Sequence, residues 1–192
     1  SKNILNLLLK SCPVLSNIKV ENPENNHFKN YHVELVDLPI KYFPEFPENS
    51  VKGLRIEKCK ELQDFNFPPE VQDMSLIDLN ILSIDLSKFY DLIYLSLFLD
   101  KLKYINVFPS SLQFLELNSS EIQTIPILPN KLSTLRLECH ELLEILNIPT
   151  SLKKLFCRNC LKLDKVPYID RTIQFVCENC PRKIRMIQNR YP

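Results

Sequence analysis

Cys157-x-x-Cys160 and Cys177-x-x-Cys180, separated by 16 residues, have the spacing of a four-thiolate zinc site. Zinc asks for four ligands in a tetrahedron, and two C-x-x-C turns can deliver them. With the basic tail Arg182, Lys183, Arg185 and Arg190 beside it, such a site would make a zinc-dependent nucleic-acid-binding module. A competing account comes from periodicity. The second pair follows the first by 20 residues, which is also the period of an apolar pattern through the chain. Cys12 and Cys59 occupy the same pattern position as Cys160 without any paired cysteine. On that frame the thiols are stacked core residues acting as small hydrophobes, and the basic tail is a polar end-cap. We adopt the second account, with no metal or other cofactor, and keep Cys157, Cys160, Cys177 and Cys180 as the metal-site alternative.

The other chemistry-bearing residues are sparse. His27 and His32 lie in or beside a polar stretch, and His140 falls at the pattern position of Cys160, where a histidine most often bonds a turn backbone. No Ser, Cys or Asp stands at a spacing that pairs with them for nucleophilic catalysis. Gly53 is the 1 glycine in the chain. Phosphate loops and dinucleotide fingerprints need several, so they are excluded. The expectation is a protein that is not an enzyme.

The elements that must position these residues follow from the period. Leu112, Leu132 and Leu152 each open an L-x-x-L-x-(L/C) hexad. A proline tripeptide precedes each: Pro109-Ser110-Ser111, Pro129-Asn130-Lys131 and Pro149-Thr150-Ser151. Extended along the chain, the hexads start at Asn30, Val51, Val71, Leu92, Leu112, Leu132, Leu152 and Thr172. Alternation within each hexad suits a short strand, and equal strands one period apart stack in parallel. The return segments carry prolines, as in Phe43-Pro44-Glu45-Phe46-Pro47, Phe67-Pro68-Pro69 and Ile125-Pro126-Ile127-Leu128-Pro129. Proline fixes φ and lacks a donor, so the returns should be extended or single-turn.

A fixed period near 20 residues that opens with L-x-x-L-x-L resembles the leucine-rich repeats. The resemblance implies an α/β solenoid, or horseshoe, with a parallel β-sheet on the concave face and little helix. The P-x-x-L-x-x-L rhythm is similar to the short repeats of bacterial effector proteins, whose asparagine and L-P-x-L-P consensus is only partly kept. Cys12-Pro13 and the recurrent cysteine resemble F-box and plant-receptor repeats instead. Both groups use such domains to select ubiquitylation substrates, so the resemblance implies a substrate-receptor role as the alternative function. The chain reads as a single domain, with an irregular first unit and loop over 1–29, regular repeats over 30–180 and a cap over 181–192. Two registers compete at the start. Ile4, Leu7, Leu9 and Cys12 fit the short-repeat frame, whereas a helix over Asn3–Ser11 followed by a strand Leu15-x-x-Ile18-x-Val20 fits the F-box-like form. Glu21–Lys29 reads as a loop. Because the chain opens on Ser1 with the apolar pattern already running, we expect a fragment of a longer protein.

Side chains alternate faces along a strand, so the residues off the apolar frame form three outward columns. The first is His32, Gly53, Asp73, Tyr94, Phe114, Thr134, Lys154 and Gln174. The second is Glu34, Arg55, Ser75, Ser96, Glu116, Arg136, Phe156 and Val176. The third is Val36, Glu57, Ile77, Phe98, Asn118, Glu138, Arg158 and Glu178. Tyr94, Phe98 and Phe114 therefore cluster, bordered by Ile77, Glu116, Arg136 and Phe156. Aromatic and arginine side chains supply most hot-spot energy at protein interfaces, so these are the candidate partner-binding residues, and the partner is a protein.

Composition bounds the rest. With 45% hydrophobic and 24% charged residues, the chain can build a core. A net charge of +1 offers no global attraction to nucleic acid or to an anionic membrane, and no apolar run has the length of a membrane span. An odd set of 7 cysteines without a disulfide framework points to a reducing, intracellular location, cytoplasmic or otherwise.

Overall fold

The computed structural model describes residues 4–12, 30–63 and 65–188. They build a parallel-sheet solenoid with almost no helix. The strands are β1 (Ile4–Lys10), β2 (Asn30–Val36), β3 (Val51–Glu57), β4 (Asp73–Ile77), β5 (Ser83–Ile84), β6 (Tyr94–Phe98), β7 (Tyr104–Ile105), β8 (Phe114–Ser119), β9 (Thr134–Cys139), β10 (Lys154–Arg158) and β11 (Gln174–Glu178). One 9-stranded sheet runs in the order β1-β2-β3-β4-β6-β8-β9-β10-β11. The short β5 and β7 pair with each other within the return segments, Ser83 against Tyr104 and Ile84 against Ile105. A single isolated bridge, Glu144 to Lys165, continues that second ladder further along the described residues.

Register follows the period. Phe114 pairs with Tyr94 and Thr134, and Lys154 with Thr134 and Gln174. The frame residues Leu95, Leu115, Leu135 and Leu155 are fully buried, one behind the next. At the start, Leu7 pairs with Val33 and Leu9 with Leu35 in β1. The short-repeat register is therefore the correct one at residues 4–10, and the helix expected by the F-box-like alternative is not formed there. The second strand of that alternative, Leu15–Val20, and the loop Glu21–Lys29 lie outside the described residues.

The P-x-x-L rhythm has a local cause. The carbonyls of Pro109, Pro129 and Pro149 accept the N–H groups of Leu112, Leu132 and Leu152 at 3.1, 3.0 and 3.0 Å. Each is a tight turn that aims the chain into the next strand. The last unit departs from the expected frame. Thr172 is exposed and Ile173 takes the inward place, with its N–H on the Asp170 carbonyl at 3.0 Å. The Thr172 N–H and hydroxyl bind the Asp170 carboxylate, which replaces the proline by an Asx-type turn. Among the return segments, Asn147 donates to the Leu128 carbonyl at 3.0 Å and accepts the Leu128 N–H at 2.7 Å. It thereby satisfies both backbone groups of Leu128, including a donor that the prolines nearby lack.

Two turn types follow the strands of the long sheet. Ser11, Asp37, Lys58, Asp78, Asn159 and Asn179 adopt φ between 48° and 57°, the left-handed region that Asn and Asp tolerate best. That extra residue lets the next one, such as Leu38, Cys59, Leu79, Cys160 or Cys180, turn into the core. The units that start at Leu92, Leu112 and Leu132 lack the left-handed residue, so the inward place falls one residue earlier, on Leu99, Ser119 and Cys139. The far end is closed by α1 (Arg182–Gln188), whose Ile184 is buried against β11.

Candidate protein-binding face

The strand alternation sends Tyr94 and Phe114 outward from adjacent, in-register positions of β6 and β8. Their rings stack with centroids 4.3 Å apart and planes 13° from parallel. The Arg136 guanidinium, one strand further on, lies 5.6 Å from the Phe114 ring and 5.4 Å from the Phe156 ring. The result is a continuous row, Tyr94–Phe114–Arg136–Phe156, across four neighbouring strands. Cation–π contact in this range is worth about 0.5–1 kcal/mol at exposed sites, and it places Arg136 between the two rings. Tyr94 leaves 47% of its surface to solvent, so the row is accessible from above. Glu116 pairs with Arg136 at 3.7 Å. That pair is open to water and adds at most about 1 kcal/mol, so its value is in orienting the guanidinium.

The remaining expected residues fall beside this row. Phe98 stands on the same strand as Tyr94 but opens onto a groove of about 210 Å³ that Glu116, Arg136 and Phe156 also line. Ile77 is half-buried next to Phe98, its register partner. The groove continues to Glu138, Arg158, Val176 and Glu178. Those four were visible as column members, but charge and small size made them indistinguishable from an ordinary wet surface.

A second cluster lies on β2–β4. The His32 ring lies over Gly53, where a Cβ would meet Nδ1 at 2.6 Å and Cγ at 2.8 Å. The 1 glycine of the chain is thus a space for an imidazole, with no positive φ to serve. Desolvation raises the Asp73 carboxyl above its ordinary value, and the charge of His32 opposes that shift. On the next strand position, the hydrogen bond from Arg55 at 2.6 Å holds the Glu57 carboxyl below its ordinary value.

Five of the six buried cysteines sit where the period puts them, and Cys139 sits one residue before it. Cys157 and Cys177 are in-register partners facing the core, and Cys59, Cys139, Cys157, Cys160, Cys177 and Cys180 are all buried. Their thiols make a ladder: Cys59 donates to the Leu35 carbonyl at 3.6 Å, Cys139 to Leu117 at 3.5 Å, Cys160 to Leu137 at 3.6 Å and Cys180 to Cys157 at 3.5 Å. Each reaches the strand of the preceding unit. Contact with the Cys157 thiol and burial push Cys160 up to about 12, and burial with the Cys180 contact pushes Cys177 up to about 12. Among the described residues no group of three or more His, Cys, Asp and Glu is arranged to hold a metal.

His140 is a correction. It was expected in the ladder, but it is exposed, and the buried residue there is Cys139. The frame slips by one because this unit lacks the left-handed residue. Arg182, Lys183 and Arg185 are exposed on α1, where Lys183 pairs with Asp164, while His27 and Arg190 lie outside the described residues. Among the described residues no helix is long and apolar enough to cross a membrane.

No protein-family model matches this chain, and no curated protein or solved structure is significantly similar to it.

Proposed function

We propose that the chain is a non-catalytic recognition scaffold that binds a partner protein through the outward face of its long sheet, the concave face of the expected horseshoe. One observation carries the reading: the Tyr94–Phe114–Arg136–Phe156 row, pre-ordered across β6, β8, β9 and β10, with Tyr94 and Arg136 exposed and Phe114 and Phe156 half-buried. Rings held by stacking lose little further entropy on binding, and buried aromatic and arginine anchors dominate interface energies. A partner covering the row gains apolar transfer energy at about 25 cal/mol per Å², with Glu116 and Arg136 setting its orientation.

The test is capture of partners from lysate by immobilised protein. Tyr94→Ala with Phe114→Ala should abolish the specific capture, since central anchors cost about 2 kcal/mol or more on truncation. The stack itself is worth about 0.5–1.5 kcal/mol, so the thermal midpoint should fall by no more than about 6 °C. Tyr168→Ala, which removes a more exposed ring from a return segment, should leave capture intact. Wild-type capture by the double variant would place the binding surface elsewhere.

A further inference from the structure

The groove beside the aromatic row carries a charge imbalance. Its walls hold the carboxylates Glu116, Glu138 and Glu178 against the guanidinium groups of Arg136 and Arg158. Both cations are already engaged. Arg136 lies between two rings and on Glu116, while Arg158 places Nε and Nη2 each 2.9 Å from Glu178 Oε2. Glu138 is left with a neutral partner. Its Oε1 accepts the Asn159 side-chain amide at 2.6 Å, and among the described residues it makes no ion pair.

That carboxylate is also held in place. Asn159 is fixed by its left-handed backbone, φ 51°, and its own carbonyl oxygen accepts the Asn179 amide at 2.7 Å. The chain Asn179–Asn159–Glu138 presents a half-buried anion at the edge of a groove walled by Phe98, Phe156 and Val176. A volume of about 210 Å³ suits a single long side chain better than a folded element. Resting on the reading of this face as a protein-binding surface, we infer that the groove receives an arginine or lysine side chain from an extended segment of the partner protein. The methylene stem packs on Phe98 and Phe156, and the charged head meets Glu138 in a charge-assisted hydrogen bond. An acidic side chain would meet three carboxylates and two guanidinium groups that already have partners.

The probes are extended peptides Ser-Gly-X-Gly-Ser with X arginine, lysine, norleucine or glutamate, titrated into the whole chain and followed by NMR shifts of the Phe98 and Phe156 rings. The arginine and lysine peptides should bind at least tenfold more tightly than the norleucine and glutamate ones at low salt, and the margin should shrink as ionic strength rises. Glu138→Gln keeps an acceptor for Asn159, so the fold should be unchanged while the tenfold preference disappears. Equal or stronger binding of the glutamate peptide, a preference that survives Glu138→Gln, or no ring shifts with any peptide overturns the inference. If the preference is absent while Tyr94→Ala with Phe114→Ala still abolishes partner capture, the basic-side-chain assignment falls and the sheet-face reading stands. If the preference holds while that double variant captures normally, the groove stands and the aromatic row loses its role.

Discussion

Replacing Ser119 by alanine should destabilise the chain by about 2 kcal/mol or more, although the change removes one atom. Ser119 is 1% exposed and fills the inward ladder place that cysteines fill in other units. Its hydroxyl donates to the Leu102 carbonyl at 2.8 Å and accepts the N–H groups of Glu121 at 3.2 Å and Ile122 at 3.3 Å. Alanine leaves those three backbone groups without this partner. Leu102 and Ile122 are fully buried, and each buried orphan costs about 1–3 kcal/mol, whereas the exposed Glu121 can turn to water. At an m-value of about 2 kcal/mol/M the urea midpoint should drop by roughly 1 M. A solenoid can open locally before it unfolds globally, so amide exchange at Glu121 and Ile122 should accelerate first. His140→Ala is the counterpart, because the periodic frame alone places His140 in the ladder. Its side chain is exposed, so the cost should stay within about 0.5 kcal/mol. An unchanged midpoint and unchanged exchange for Ser119→Ala, with a loss for His140→Ala, would refute the one-residue slip between turn types.

Leu135→Ala and Leu155→Ala should each cost about 2–5 kcal/mol, because both side chains are fully buried between in-register neighbours; unchanged denaturation midpoints would show the frame to be misplaced. Gly53→Ala should lower the thermal midpoint, since its Cβ must push the His32 ring from 2.6 Å at about 0.5–1.5 kcal/mol for a displaced rotamer. His32→Ala with Gly53→Ala should regain that loss. Under native conditions a thiol reagent should react quickly with Cys12 alone, the exposed cysteine, and reach all 7 only in denaturant. Rapid modification of more than one thiol in the native protein would contradict the buried ladder. Cys160 and Cys177 keep their protons to about pH 12 when folded, against an ordinary 9.0. The unfolded chain releases them first, so stability is full below about pH 9 and declines as pH rises toward 12. Thermal midpoints from pH 7 to 10.5 should show that decline, and Cys160→Val with Cys177→Val should make it shallower, the raised thiols of Cys59, Cys139 and Cys180 supplying the remainder.

Much of the candidate site was legible because a strand alternates faces. Once Leu95, Leu97, Leu115 and Leu117 are inward, Tyr94 and Phe114 can only be outward, and a constant period brings them into register. Their stacking was not legible, nor was the separation of Phe98 onto the groove, since both depend on rotamers chosen by neighbours. Glu138 could be assigned to a face but not to a role. Its importance rests on Arg158 choosing Glu178 over it, which is a three-dimensional competition among side chains.

By itself the amino-acid order determined the repeat, its parallel register and the inward leucines, because period and alternation are one-dimensional properties that backbone geometry converts directly into stacking. It also marked the tight turns, since the proline three residues before each frame leucine sets the local φ. The tertiary structure decided between strand and helix over Ile4–Lys10, where the carbonyl and amide edge of β2 pairs with β1 in register along its whole length. It also decided whether Cys139 or His140 points inward. That choice turns on a single left-handed residue, which leaves no periodic trace in the chain.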